Sequence, residues 1–301
     1  MGHLYVLMVA LMFSFGGTMV KLIAPYFSSE YITFFRFLVG VIWLLLLALI
    51  SRRRFGRPFV SALRQNWKWI LIGAFAKWLA YFTENYALSR GLSYGNIITQ
   101  PVQTVFLTAT GAVLYHDAMN RRKGLLISLC VAGILLVSLN GRPLSAFMGK
   151  ELVFTLLFVI SGMCAGTHIL MQRVLSSRMD ILESNLSIFS VSAVIALVPV
   201  LPSAGTGFAV HPSLSCLLAI AFFGFITGIG FYLNAKAIPL IPFFMVPLLQ
   251  NTMVLFAILW GILFFHEPFT PMAAFGTVLF LSGIIGLQLQ TAHERQKGKE
   301  S

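Results

Sequence analysis

Lys77, Tyr81, Glu84 and Asn85 stand at i, i+4, i+7 and i+8 within one apolar stretch, which puts all four on one helix face. An ammonium and a carboxylate on one face can meet the two ends of a zwitterion, Lys77 taking a carboxylate and Glu84 an amine. Trp78 and Phe82 flank that face and can hold a cation against their rings. Arg36 and His168 are the other bases inside apolar stretches, and Glu84 is the one acid well inside such a stretch. At about 1.5 Å per residue, Arg36 and Glu84 each lie about 8 Å in from the same side, on neighbouring helices. An Arg36–Glu84 ion pair is therefore expected, either as a structural staple or as a gate. By the same rise Lys77 lies about 12 Å from the opposite end, near mid-depth.

Three further amides, Gln100 and the pair Gln250-Asn251, lie about 11–12 Å deep from opposite sides by the same rise. They either hydrogen-bond a polar ligand or join helix to helix. Pro101 and Pro247 stand nearby, where a broken helix could offer carbonyls to a ligand. His168 reads as a residue lining one mouth, as a proton acceptor, or as a packed polar side chain. Thr18, Tyr232 and Asn234 complete the candidate ligand-contacting set.

The elements that must position these residues follow from composition. The chain has 301 residues, 58% of them hydrophobic and 10% charged, with a mean hydropathy of +0.88. Soluble domains carry about 25% charged and about 45–50% apolar residues, so lipid must be the solvent for most of this chain. Ten apolar stretches are long enough to span a bilayer, near 3–24, 31–51, 69–90, 93–115, 124–141, 151–173, 181–201, 214–237, 240–265 and 272–290. A membrane β-barrel would show short alternating segments instead. The expected fold is an all-α polytopic bundle with no soluble domain, kinked or broken at Pro101, Pro239, Pro242 and Pro247. The first stretch runs on without a small-residue cleavage site, so no signal peptide is expected.

The formal charge of +12 would suggest nucleic acid in a soluble protein. Here its distribution explains it. With ten spans, one side collects six basic residues in 52–68, three in 121–123, Arg173, Arg178, Lys236 and three in the tail, which makes 15. The other side has Lys21, Arg90, Arg142 and Lys150. That bias places both termini in the cytoplasm of a cell inner membrane and removes the need for a nucleic-acid partner.

Several chemistries are disfavoured. No nucleotide-binding glycine motif, HExxH or CxxC occurs, so no cofactor and no ATP-driven step within this chain are expected. Cys130, Cys164 and Cys216 make no disulfide framework. His116 and His266 stand beside acids at span ends, without the further ligands a metal needs. An enzyme would need paired catalytic groups, and one deep carboxylate does not supply them.

A shift of 150 residues superposes Gly111, His116-Asp117 and Gly133-Ile134 on Gly261, His266-Glu267 and Gly283-Ile284. It also pairs Phe75 with Phe225, Gln100 with Gln250 and Phe106 with Phe256. Each repeat then holds five spans, 1–141 and 151–290, followed by a tail at 291–301. An odd number of spans forces the second repeat to insert upside down, the construction of many secondary transporters. The shift sets Lys77 on Thr227 and Glu84 on Asn234, so only the first half keeps charge. Small residues at Ser14, Gly16, Gly17 and Thr18, echoed by Ala165-Gly166-Thr167, allow close helix approach and sliding.

At this point the sequence resembles a known family. Ile262 to Pro271, with its Phe264-Phe265-His266-Glu267-Pro268-Phe269-Thr270-Pro271 end, is similar to the apolar-then-"GEPLTP" junction of EamA-type members of the drug/metabolite transporter superfamily. Leu281-Ser282-Gly283-Ile284-Ile285 resembles the "LAGVLL" that follows it, and Phe35-Arg36-Phe37-Leu38 the "RF" start of the second helix. Leu114 to Met119 and Val131 to Leu135 look like weaker copies in the first half. The sequence departs from the pattern where His116 and His266 replace the usual Gly and where Pro is absent after Asp117. The resemblance implies ten helices in two inverted halves, with a pathway lined by helices 1–4 and 6–9, and helices 5 and 10 at the periphery. It implies transport of amino acids, related metabolites or drugs.

The resulting expectation is a secondary transporter for an amino acid or a related zwitterion or amine, driven by a proton or substrate gradient. Drug-like organic cations are the alternative substrate class. A non-transporting scaffold and a channel-like facilitator are the rival functions.

Overall fold

The computed structural model describes residues 2–53, 55–91, 95–114, 121–139, 141, 150–176, 178–203, 211–237, 240 and 252–300. Among them no strand occurs. The helices are α1 (Gly2–Ser14), α2 (Gly16–Ile23), α3 (Ser29–Ile50), α4 (Arg57–Arg90), α5 (Thr99–Leu114) and α6 (Arg121–Leu139). They continue as α7 (Lys150–Ser176), α8 (Ile181–Leu197), α9 (Leu214–Phe225), α10 (Phe231–Ala237), α11 (Met253–Phe265) and α12 (Pro271–Glu300). The expected apolar stretches are helical over most of their described length; residues 238–239 and 241–251, with Pro239, Pro242 and Pro247, lie outside the described residues. Five helical segments are long and apolar enough to cross a membrane: Gly2–Ile23, Ser29–Ile50, Leu152–Gln172, Ile181–Ser203 and Leu214–Ala237. Phe256–Phe265 and Pro271–Leu287 are shorter apolar helices.

Two of the long segments are interrupted internally without a proline, and a third, Ile181–Ser203, tightens into a 3-10 helix at Val198–Ser203, where Pro199 and Pro202 stand. The first breaks at Phe15, whose backbone turns between α1 and α2 beside Gly16 and Gly17. The second widens into a π-helical turn at Ile226–Gly230, between α9 and α10. Pro101 lies in the first turn of α5, where a missing N–H costs nothing. The break expected there falls just before it, as a 3-10 turn at Gly95–Ile98.

α6 packs against α12, α4 against α7 and α8, α3 against α8 and α9, and α5 against α7. α1 packs against α10 and α11, and α2 against α9 and α11. Every one of these contacts maps onto another under the 150-residue shift, which carries α1–α2 onto α7, α3 onto α8, α4 onto α9–α10, α5 onto α11 and α6 onto α12. Small residues set the tightest approaches, since a Cβ at Gly133 would lie 2.6 Å from the backbone oxygen of Gly276 and one at Gly283 would lie 2.7 Å from Cys130 Sγ. At the end of that α6–α12 pair the buried Lys123 meets Glu294. His266 closes α11 in the left-handed region (φ 50°, ψ 34°), the conformation in which glycine is favoured. That is the position at which the "GEP" pattern has its Gly.

Candidate functional site

The polar face of α4 points inward. Lys77, Tyr81, Glu84 and Asn85 are all buried, with Lys77 3% and Glu84 8% exposed. Helices from both halves close over that face: α3, the 3-10 turn at Gly95–Ile98, α7, α8, and the run α9 to α10.

Arg36 sits at the centre, 5% exposed. Its Nε donates to Thr227 Oγ1 at 3.0 Å and Nη1 donates to Asn85 Oδ1 at 3.3 Å. Asn85 in turn donates to Thr33 Oγ1 at 3.0 Å, and Thr33 donates to the Ser29 carbonyl, so the chain of donors is anchored on α3. The guanidinium lies over the rings of Tyr81 (3.3 Å to the centroid) and Phe223 (4.1 Å). Lys77 places its ammonium over Tyr81 as well (4.1 Å) and over Phe231 (3.8 Å). Phe37, Phe189 and His168 pack behind these rings.

Tyr81 and Phe231 are partners under the 150-residue shift, so the two halves present equivalent rings to one cation. Arg36 Cζ and Lys77 Nζ are at most 7.4 Å apart, the sum of their distances to the Tyr81 centroid. At an effective dielectric of about 20, two unit charges at that separation repel by about 2 kcal/mol or more. Cation–π contacts, each worth about 2 kcal/mol when desolvated, offset the cost of burying them.

The expected Arg36–Glu84 ion pair is not formed. Among the described residues the only ion pairs are Arg53–Asp180 and Lys123–Glu294. Glu84 Oε1 instead accepts from Asn96 Nδ2 at 3.4 Å. The reason is one of reach: Arg36 is drawn along its helix toward Thr227 by the π-helical turn. There Gly40, Gly224 and Gly228 let α3 and α9–α10 touch backbone to backbone. π-Helical turns often accompany functional sites.

Trp78 is half-buried beside the charged face, packed against the apolar cluster that includes Tyr81 and Phe189. Its ring stacks on Phe82 (5.6 Å) and meets Phe75 (5.5 Å), on the side of α4 where Phe75 is exposed. The Trp78 Nε1 proton is nevertheless buried without a partner. His168, on α7, is fully buried; its Nδ1 lies 3.2 Å from the Gly73 carbonyl, and its Nε2 meets no partner. A carbonyl only accepts, so Nδ1 carries the proton and Nε2 presents a lone pair.

Thr18 is buried on α2, and Gln100 is half-buried on α5. Asn234 is half-buried on α10 beside Tyr232. Tyr232 lines a pocket of about 230 Å³ at one end of the bundle, with Ser51, Arg53, Asp180, Leu182 and Lys236. Gln250 and Asn251 lie outside the described residues. Among the described residues no group of three or more His, Cys, Asp or Glu could hold a metal ion.

Thr227, Phe223, Phe231 and Asn96 are the contacts that spacing on a single helix does not reveal. The 150-residue shift carries a signal for two of them, since it sets Thr227 on Lys77 and Phe231 on Tyr81. Nothing comparable marks Asn96.

Comparison with known proteins agrees with this architecture. No curated protein matches the chain. Among solved structures 28 chains match. One, described as "Crystal structure of protein", aligns with a TM-score of 0.65 at 14% identity over 97% of this chain and 96% of its own, a likeness of fold. The model of the EamA-like transporter family matches residues 1–139 and again 153–289, the two repeats in turn. This multi-pass membrane protein therefore belongs to the EamA-like transporter family.

Proposed function

We propose that this chain is a secondary transporter that moves a small polar organic metabolite, an amino acid or a related zwitterion or amine, by alternating access. The observation that carries the reading is the buried array of Arg36, Lys77 and Glu84 where the two repeats meet. Charges inside a bilayer are expensive and mark substrate pathways. Alternating access requires a site shared by both halves, so that rocking one against the other changes the side from which it opens. Here α3 and α4 supply the charges while α9, the π-helical turn and α10 supply Phe223, Thr227 and Phe231. Ten helices in two inverted repeats, 1–141 and 151–290, account for helix contacts that map onto one another under the 150-residue shift. The basic bias assigns both termini, the pocket at Tyr232 and the tail 291–301 to the cytoplasmic side of an inner membrane.

Lys77 would take the ligand carboxylate and Glu84 its amine. Gln100, Asn234, Gln250, Asn251 and Thr18 would supply further polar contacts as the halves move. Trp78, Tyr81 and Tyr232 would present rings along the route. His168 Nε2, a buried lone pair, is where a coupled proton would be received. The test is counterflow: proteoliposomes loaded with one unlabelled amino acid or amine are diluted into its labelled form. Saturable transient accumulation is expected for the wild type, with loss in Lys77→Met and Glu84→Gln protein that still inserts. Intact counterflow in both variants, or none with any compound in the wild type, refutes the reading; flux without counterflow indicates a channel.

A further inference from the structure

The centre of the bundle holds one more cation than anion. Among the described residues the charged side chains buried within the spans are Arg36, Lys77 and Glu84. In the sequence the other eight acids lie at or beyond the ends of the apolar stretches, and the buried Lys123 pairs with Glu294. No described carboxylate lies within ion-pair distance of Lys77, whose ammonium rests only on ring faces. No described residue accepts from Nη2 of Arg36. Ring faces hold a cation through their quadrupole and do not neutralise it. The pocket at the end of the bundle repeats the imbalance: Arg53 pairs with Asp180 at 3.4 Å, while Lys236 lies 5.9 Å from the Tyr232 ring centroid and pairs with no described acid. α10 joins the two places, carrying Phe231 against Lys77 and Tyr232 in the pocket wall.

The geometry points to a substrate of net charge −1, an organic acid or acidic amino acid whose acid group replaces the Tyr81 and Phe231 ring faces on Lys77 and takes the open edge of Arg36. This rests on the reading of the array as a substrate site and narrows its ligand from zwitterions at large to acidic ones. A zwitterion can use Lys77 and Glu84 and still leaves the Arg36 charge uncompensated, whereas a second acid group removes the surplus. A cationic ligand doubles it. The exchange is favourable because a charge-assisted hydrogen bond is stronger than a contact with a ring face. The rings therefore hold the ammonium in place while the site is empty, and they line the apolar body of the ligand when it is filled. The surplus cation of the pocket raises the local concentration of anions at the entrance.

The experiment uses the purified full chain in detergent and pairs of compounds equal in shape and different in charge: glutamate and glutamine, aspartate and asparagine, phenyllactate and phenyllactamide. Thermal shift is expected with at least one acidic member and not with its amide at ten times the concentration. Lys77→Met, which deletes a buried charge at nearly constant volume, is expected to keep the fold and weaken that acid about 10–100-fold, the range of a charge-assisted bond. Lys77→Arg is expected to retain binding. Equal or better binding of the amides, binding of lysine in preference to every acid, or no shift with any acid overturns the inference. Labelled counterflow separates it from the transport reading: a bound acid that shows no counterflow refutes transport and leaves the inference standing. Counterflow of a neutral or cationic compound alone does the reverse.

Discussion

Gly228→Ala is expected to prise α3 from the α9–α10 run and to disarm the site without touching a charged residue. A Cβ at Gly228 would lie 2.5 Å from the Gly40 carbonyl oxygen, 3.2 Å from its carbon and 3.3 Å from its Cα. Ordinary contact begins near 3.4 Å, and all three atoms are backbone, so no rotamer change relieves the clash. The helices must separate by about 0.9 Å to pass from overlap to contact, enough to stretch the adjacent 3.0 Å bond from Arg36 to Thr227 past hydrogen-bonding range. Overpacking costs about 1–3 kcal/mol and the loss of a charged donor's bond about 1.5–3 kcal/mol. Alanine's better helix propensity returns about 1 kcal/mol, leaving a net loss of about 1.5–5 kcal/mol. The assay is thermal unfolding in micelles together with counterflow in vesicles. Gly124→Ala is the control: a Cβ there meets nothing within 4 Å, so it gains about 0.5–1 kcal/mol from propensity alone. A Gly228→Ala protein as stable as the wild type, with unchanged counterflow, would show that the close approach of these helices neither stabilises the bundle nor positions Arg36.

Three other perturbations probe the frame around the site. Ser14→Ala removes the acceptor for the half-buried Trp260 Nε1 (2.8 Å) and is expected to cost about 0.5–1.5 kcal/mol, whereas Ser14→Ala with Trp260→Phe restores most of it; a double-mutant cycle of unfolding free energies measures the difference. Glu294→Ala removes the ion-pair partner of the buried Lys123 and should lower stability by about 2–3 kcal/mol, less than a fully buried pair because Glu294 is 38% exposed; adding Lys123→Met should recover it. His266→Gly should raise stability by about 1 kcal/mol, because the left-handed cap at φ 50° suits glycine, and an unchanged melting temperature would contradict that account.

The helices were legible because their signal is local. An apolar run of about 20 residues has one stable solution in lipid, and helix was found over most of the described length of the expected stretches. The breaks were less legible. Prolines were the expected cause, yet the internal interruptions fall at Phe15 and at Ile226–Gly230, and at the second of these glycines let α3 press on the backbone. The inward face of α4 was legible from its spacing, since i, i+4, i+7 and i+8 admit one face only. The partners of Trp78 were not, because which rings a flanking residue stacks on, here Phe75 and Phe82, depends on packing.

The sequence by itself determined that lipid is the solvent, that the chain repeats at 150 residues, and which few charges lie inside the membrane. Composition, period and spacing are properties of contiguous residues, and they survive without knowing what lies opposite. Only the tertiary structure decided what those charges meet. Arg36 turned to Thr227, 191 residues away, and Glu84 to Asn96, because three glycines and a π-helical turn set how closely α3 meets the second half. Depth along a helix can be counted from the sequence, whereas the approach of two helices depends on which atoms each places at the crossing.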